Sequence, residues 1–104
     1  MTLRNNLAAI LCSQGKFHQA ENLWRDCLRI EDTPVANNNL ACVLSYLRFD
    51  FNQREAKYLA GKALMTNRDP RSSAIYKRNY EEISAGRHAP QNLDISMAKM
   101  TLRK

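Results

Sequence analysis

The sequence contains little glycine and little proline, three residues of each in 104, and this scarcity excludes a collagen-like chain and a flexible linker. No apolar run approaches the roughly 18 residues that a membrane-spanning helix needs. The three cysteines form no CxxC pair, so neither a disulfide scaffold nor a zinc site is indicated. These absences leave one small folded domain with reduced thiols.

A secretory leader is also lacking, because an amphipathic pattern with Arg4, Asn5 and Asn6 opens the chain. We therefore expect a cytoplasmic protein. Enzyme motifs are missing as well, since there is no glycine-rich phosphate loop, no HExxH and no GxSxG. His18 and His88 have no thiol or carboxylate pair at ligand spacing, so the sequence predicts no catalytic residue, no metal and no cofactor.

The net charge of +6 belongs entirely to residues 53–104, where eleven Lys and Arg oppose five Asp and Glu. Residues 1–52 hold five of each kind and are neutral. Such an asymmetry can steer an acidic protein segment, nucleic acid or an anionic lipid surface towards the basic half. The commoner explanation is a solvated helix face, and both interpretations stay open.

Apolar residues recur at helical spacing in two stretches between Leu3 and Ile30, with Gly15 between them. Glycine enters a left-handed turn at little cost, so the pattern predicts two antiparallel helices joined by a tight turn. The letters NNLA at 5–8 return 33 residues later, at 38–41, whereas positions beyond the turn return after 36 residues. A second hairpin is therefore predicted, with three inserted residues that expand its turn within 46–52.

Thr33-Pro34 and Asp69-Pro70 each predict the start of a helix, because a side-chain acceptor precedes a proline. The helix that begins at Pro70 is expected to stop at Gly86. Residues 87–104 are predicted to form a loop and then a short helix or flexible tail. The fold class is all-α: an α-α superhelix of two antiparallel helix hairpins, a C-terminal capping helix and a short tail helix.

The segment NNLAAILCSQGKFHQAENLWRDCLRI resembles one complete tetratricopeptide repeat, a pattern of about 34 residues. Leu7, Ala8, Gly15, Ala20 and Trp24 occupy positions that this pattern requires. The NNLA opening followed by GKF-x-x-AE-x-L is most similar to the kinesin light chain subgroup. A second, weaker unit lacks the turn glycine. The resemblance implies a repeat domain over 1–86, made of repeat one (1–33), repeat two (34–69) and a capping helix (70–86), with the tail at 87–104.

The same resemblance implies a non-enzymatic protein–protein interaction module, an adaptor or chaperone-like protein that binds a peptide or helix of another protein, for which an acidic partner is one candidate. Its binding site would be the concave groove that the outward residues of each first helix line. The groove residues implied in this sequence are Asn5, Ala9, Cys12, Ser13, Asn38, Cys42, Ser45, Tyr46, Arg71 and Arg78. Two of these would be accessible thiols, while Trp24 is expected in the core.

Asparagine amides suit contacts with a peptide backbone, but for Asn6 and Asn39 a structural role is an equal alternative. Two other functions stay open. The first is nucleic-acid or polyanion binding, for which the candidate residues are Arg68, Arg71, Lys77, Arg78 and Arg87. The second is self-assembly, because two units and a remnant fall short of the roughly three repeats that a solenoid usually needs.

Overall fold

Residues 2–47 and 50–87 are described by the computed structural model, and every regular element among them is an α-helix. In chain order the helices are α1 (Thr2–Ser13), α2 (Phe17–Ile30), α3 (Pro34–Leu47), α4 (Asp50–Thr66) and α5 (Pro70–Ser84). The predicted all-α class is confirmed. The predicted tail helix lies outside the described residues.

Helices that follow one another in the chain pack against one another, from α1 on α2 through to α4 on α5. Each fully described connection spans three residues, which is too short for anything but a reversal of direction. The helices therefore alternate in direction, and α1, α3 and α5 run parallel. This is the arrangement expected of stacked helix hairpins.

Gly15 and Gly86 end α1 and α5 with the same left-handed turn, at φ +77° and +82°. In both turns the glycine N–H donates to a carbonyl three residues back, at 3.0 Å. The next N–H, from Lys16 or Arg87, donates to a carbonyl five residues back, at 2.9 and 3.0 Å. This pair of bonds satisfies carbonyls that a helix end leaves open. The turn predicted at Gly15 and the stop predicted at Gly86 are confirmed.

Both predicted proline-led helix starts are confirmed as well. The Asp69 carboxylate accepts a hydrogen bond from the Arg71 N–H at 2.9 Å, with Pro70 in the first helical position. The Thr33 hydroxyl accepts from the Ala36 N–H at 3.3 Å. A side-chain acceptor at each start replaces the backbone partner that the first turn lacks.

The three inserted residues of the second unit do not expand the turn, contrary to the prediction. Helix α3 continues to Leu47 and α4 begins at Asp50, so α4 has 17 residues where α2 has 14. The insertion lengthens a helix because residues 50–54 contain no glycine or proline and each added helical residue gains a backbone hydrogen bond.

The core lies around α3, in which all ten residues from Ala36 to Ser45 are buried. Since successive residues of a helix point 100° apart, ten of them sample every side, so α3 is the central helix. Trp24 is fully buried, as predicted. The small residues that let helices approach closely are also fully buried, namely Ala8, Ala20, Ala41, Ala56 and Ala63.

Candidate protein-binding surface

Asn5 lies on the buried side of α1 and brings three helices together. Its side-chain Oδ1 accepts a hydrogen bond from the Trp24 Nε1–H of α2 at 2.8 Å. The same oxygen accepts from the Asn39 Nδ2–H of α3 at 3.0 Å. A carbonyl oxygen has two lone pairs, so both donors are satisfied by one acceptor.

The amide contacts continue through α3 into α5. Asn38 Nδ2 donates to Asn39 Oδ1 at 3.0 Å, and Asn79 Nδ2 donates to Asn38 Oδ1 at 2.8 Å. We call Asn5, Asn39, Asn38 and Asn79 the asparagine chain. It runs from the first helix of the first unit to the helix that follows the second unit, and all four side chains are buried.

Six of the ten predicted groove residues lie at buried positions: Asn5, Ala9, Cys12, Asn38, Cys42 and Ser45. The Asn5 and Asn38 amides are engaged inside the protein. The Ser45 hydroxyl donates to the Cys42 carbonyl at 2.7 Å. These six residues shape the scaffold beneath a surface and present little area to a partner.

The expectation of accessible thiols at Cys12 and Cys42 is wrong. Cys42 has no exposed surface, and Cys12 is 9% exposed. Burial raises the pKa of the Cys12 thiol to about 11, because a thiolate loses its hydration there. The pKa of the Cys42 thiol is also raised by burial, and further by the neighbouring Cys12. Neither thiol is a nucleophile at neutral pH.

The other four predicted groove residues, Ser13, Tyr46, Arg71 and Arg78, are exposed. The Tyr46 ring packs on Phe17, with 4.3 Å between ring centroids. Ser13 and Tyr46 lie near the C-terminal ends of α1 and α3, whereas Arg71 begins α5. Because these three helices run parallel, the structure places Ser13 and Tyr46 towards one end of the array and Arg71 towards the other.

The five cations considered for polyanion binding differ in whether an acidic side chain already pairs with them. Arg71 is paired with Asp69 at 3.1 Å, and Arg87 is paired with Glu82. Each acid lowers the attraction of its partner cation for a phosphate. Arg68, Lys77 and Arg78 are exposed.

A surface groove between α4 and α5 has no counterpart among the residues that the sequence singled out. It has a volume of about 580 Å³. We call it the α4–α5 groove, and its lining residues are Arg54, Lys57, Tyr58, Gly61, Lys62, Met65, Thr66 and Tyr80. The α4 members recur every three or four residues. That spacing marks one helix face in the sequence, but only the structure shows that no described helix covers it.

Among the described residues no group of three or more His, Cys, Asp or Glu side chains is placed to hold a metal ion. No described helix is long and apolar enough to cross a membrane. The His18 side chain is exposed and lies near Glu21, and His88 lies outside the described residues.

Comparison with known proteins gives one match. Residues 1–30 match the family model of the tetratricopeptide repeat. No curated protein and no solved structure matches the chain. The matched residues comprise α1, the Gly15 turn and α2, which is the complete first hairpin. Repeats of this family generally mediate protein–protein interaction and are typically non-enzymatic. The match thus supports a tetratricopeptide-type repeat at residues 1–30.

Proposed function

We propose that this protein is a non-enzymatic adaptor or chaperone-like module that binds a peptide or helix of another protein. The observation that carries the proposal is the tetratricopeptide-type repeat of residues 1–30, set in an array of stacked helix hairpins. We further propose that the repeat is of the kinesin light chain type, because its NNLA opening and GKF motif are similar to that subgroup. We further propose a cytoplasmic protein that uses no cofactor.

The proposed contact surface is the face formed by the first helices of the units, α1, α3 and α5. Tyr46 offers an aromatic ring held in place by Phe17, and Arg78 offers a guanidinium group two helical turns beyond Arg71. Aromatic and arginine side chains contribute most to the affinity of many protein interfaces. A partner segment with both an apolar residue and an acidic group would match these two side chains.

The buried asparagines support this surface from beneath. The asparagine chain fixes α1, α3 and α5 relative to one another, so Ser13, Tyr46 and Arg78 keep their spacing before a partner arrives. A surface that is rigid before binding loses less conformational entropy when the complex forms. The buried predicted residues thus act on the partner through the shape of the surface.

The test is quantitative affinity capture from the source cell with the double variant Tyr46→Ala, Arg78→Glu. We expect the proteins captured by the wild type to fall about tenfold or more in the variant, because truncating interface anchors typically costs more than 1 kcal/mol each. The control is Lys77→Glu, which makes the same charge change on the neighbouring side of α5. Equal capture by the wild type and the double variant would refute the surface.

Polyanion binding is kept as a second candidate because Arg68 and Lys77 are exposed and make no ion pair within the described residues. Lys77→Glu discriminates the two functions, since it should weaken nucleic-acid binding but spare the protein partner. Each phosphate contact also makes affinity fall by about 0.9 log unit per log unit of salt on duplex DNA. A weak salt dependence would exclude this candidate.

A further inference from the structure

The α4–α5 groove exposes large apolar side chains on one continuous face of α4. Tyr58 is 66% exposed and Met65 is 86% exposed, and they lie two turns apart. The stripe from Arg54 to Met65 covers 12 residues, or about 16 Å from first to last at the rise of an α-helix. That length accommodates about three turns of a second helix laid along it.

The floor of the groove depends on Gly61. A Cβ atom at this position would lie 3.2 Å from Cε1 of Tyr80, so the missing side chain lets the Tyr80 ring approach the backbone of α4. The Tyr80 ring of α5 and the exposed side chains of Tyr58 and Met65 on α4 all line the groove. Side chains of leucine size would enter between them.

The rim of the groove is basic. Arg54 and Lys57 are exposed, and neither makes a hydrogen bond or an ion pair within the described part of the chain. Lys62, which lies farther along α4, pairs with Asp32, two residues before α3 begins. An occupant with acidic residues beside its apolar face would supply the missing partners for the first two cations.

The charge of the rim also separates the candidate occupants. The segment 88–104 of this chain carries three Lys and Arg against one Asp, and would bring like charges to the rim. A second copy that pairs through the same face would oppose Arg54 and Lys57 with their own equivalents. An acidic partner meets no such repulsion.

We propose that the α4–α5 groove binds one acidic amphipathic helix of another protein, with apolar residues between Tyr58, Met65 and Tyr80 and carboxylates facing Arg54 and Lys57. This site is separate from the face of α1, α3 and α5 assigned above, and it holds whether or not that assignment is correct. Helix-in-groove recognition places anchors at i, i+3, i+4 and i+7 of the bound helix.

The experiment measures binding of labelled synthetic peptides to the full chain by fluorescence anisotropy. The probes are two helical peptides of about 18 residues with the same leucine stripe at helical spacing, one flanked by Glu and the other by Lys. We expect the Glu peptide to bind at least tenfold more tightly, with the difference shrinking at high salt. Equal affinities, or no saturable binding of the Glu peptide, would overturn the proposal.

Two variants test where the peptide binds. The double variant Tyr58→Ser, Met65→Ser should lower the affinity for the Glu peptide at least tenfold. Lys57→Glu should lower the affinity for the Glu peptide and raise the affinity for the Lys peptide. All three residues are exposed, so the variants should keep the helical circular dichroism of the wild type. Lys16→Glu is the matched control, because it reverses the charge of an exposed cation in the α1–α2 turn, outside both surfaces, and it should leave both affinities unchanged. An effect of Lys16→Glu equal to that of Lys57→Glu would contradict a site at the groove.

Two further measurements test the rival occupants. By native mass spectrometry we expect no dimer that forms through the groove. A dimer of the wild type that is lost in Tyr58→Ser would assign the groove to a second copy. The full-chain variant Ile95→Ser, Met97→Ser, Met100→Ser should bind the Glu peptide as the wild type does. An affinity gain of tenfold in that variant would assign the groove to the segment 88–104 of the chain.

Discussion

Asn5 contributes one buried oxygen to two hydrogen bonds, one within the first hairpin and one between that hairpin and α3. Both donors, Trp24 Nε1–H and Asn39 Nδ2–H, are themselves buried. A buried donor that loses its acceptor keeps the full cost of its lost hydration. The stability of this region therefore depends on the acceptor more than on the volume of the side chain.

We predict that Asn5→Ala lowers the free energy of unfolding by about 1–3 kcal/mol. The buried Trp24 Nε1–H loses its acceptor, which costs about that much, and the bond from Asn39 of α3 to α1 is lost with it. Urea unfolding followed by far-UV circular dichroism measures the loss. The matched control is Asn22→Ala on the exposed side of α2, which should change stability by no more than about 0.5 kcal/mol. Equal losses of stability in the two variants would show that the hydrogen bonds of the Asn5 amide do not stabilise the fold.

The contacts of the asparagines are only partly predictable from the sequence. The sequence shows that asparagines recur at matching positions of the two units, and it leaves a structural role for Asn39 as one of two alternatives. Which amide meets which could not be predicted, because Asn5 and Asn39 are 34 residues apart and their contact depends on how α1 and α3 stack. The burial of six predicted groove residues could not be predicted either, because the burial of a helix face depends on which helices pack against it.

Elements are joined by charge as well as by amides. The Arg25 guanidinium of α2 donates to both carboxylate oxygens of Glu55 on α4, at 2.9 Å each, and its Nε donates to Glu21 at 2.9 Å. These bonds hold the pKa of Glu55 below its ordinary value of 4.5. The two parallel hydrogen bonds fix the geometry between the second helices of neighbouring units.

We predict that acid weakens this connection between α2 and α4. Above pH 4.5 Glu55 is ionised in both the folded and the unfolded state, so its contribution is complete. As the pH falls below 4.5, the unfolded state binds a proton before the folded state does, and stability is lost. Arg25→Gln should lower the free energy of unfolding by about 1 kcal/mol at pH 7 and flatten its decline between about pH 5 and pH 3.

Urea unfolding of both proteins across this range checks the sign. Arg29→Gln, an exposed change on the same helix, is the control and should leave the slope with pH as it is in the wild type. A slope in Arg25→Gln as steep as that of the wild type would show that other acids cause the decline.

Local chemistry predicted the ends of the elements well. Gly15, Gly86, Thr33-Pro34 and Asp69-Pro70 act within one or two turns, so their signals do not depend on the rest of the fold. The three-residue insertion was located correctly but interpreted wrongly as a loop. Packing decides whether these residues form a helix or a loop, because the longer α4 lies against α3 and α5. Amino-acid composition gives only a weak preference.

At the scale of the whole molecule, a helical repeat array is held mainly by contacts between neighbours and can lose its end first. The asparagine chain opposes such fraying, because Asn79 of α5 donates to Asn38 of α3 in the buried interior. The last described helix is therefore joined to the central one by a specific buried bond in addition to apolar packing, and the described helices should unfold together.

We predict that Asn79→Ala uncouples α5 from the rest of the molecule. Asn38 Oδ1 then loses the donor from α5, at a cost of about 1–3 kcal/mol, which is about a fivefold to 150-fold shift in the opening equilibrium. Native-state hydrogen exchange should show the amides of 73–84 exchanging faster by that factor, while those of α2 and α3 change less. Arg78→Ala, an exposed change at the adjacent position, should leave exchange in α5 nearly unaltered. If all five helices accelerated equally, the molecule would be one cooperative unit whose end is not held by this bond, and the asparagine chain would add to global stability alone.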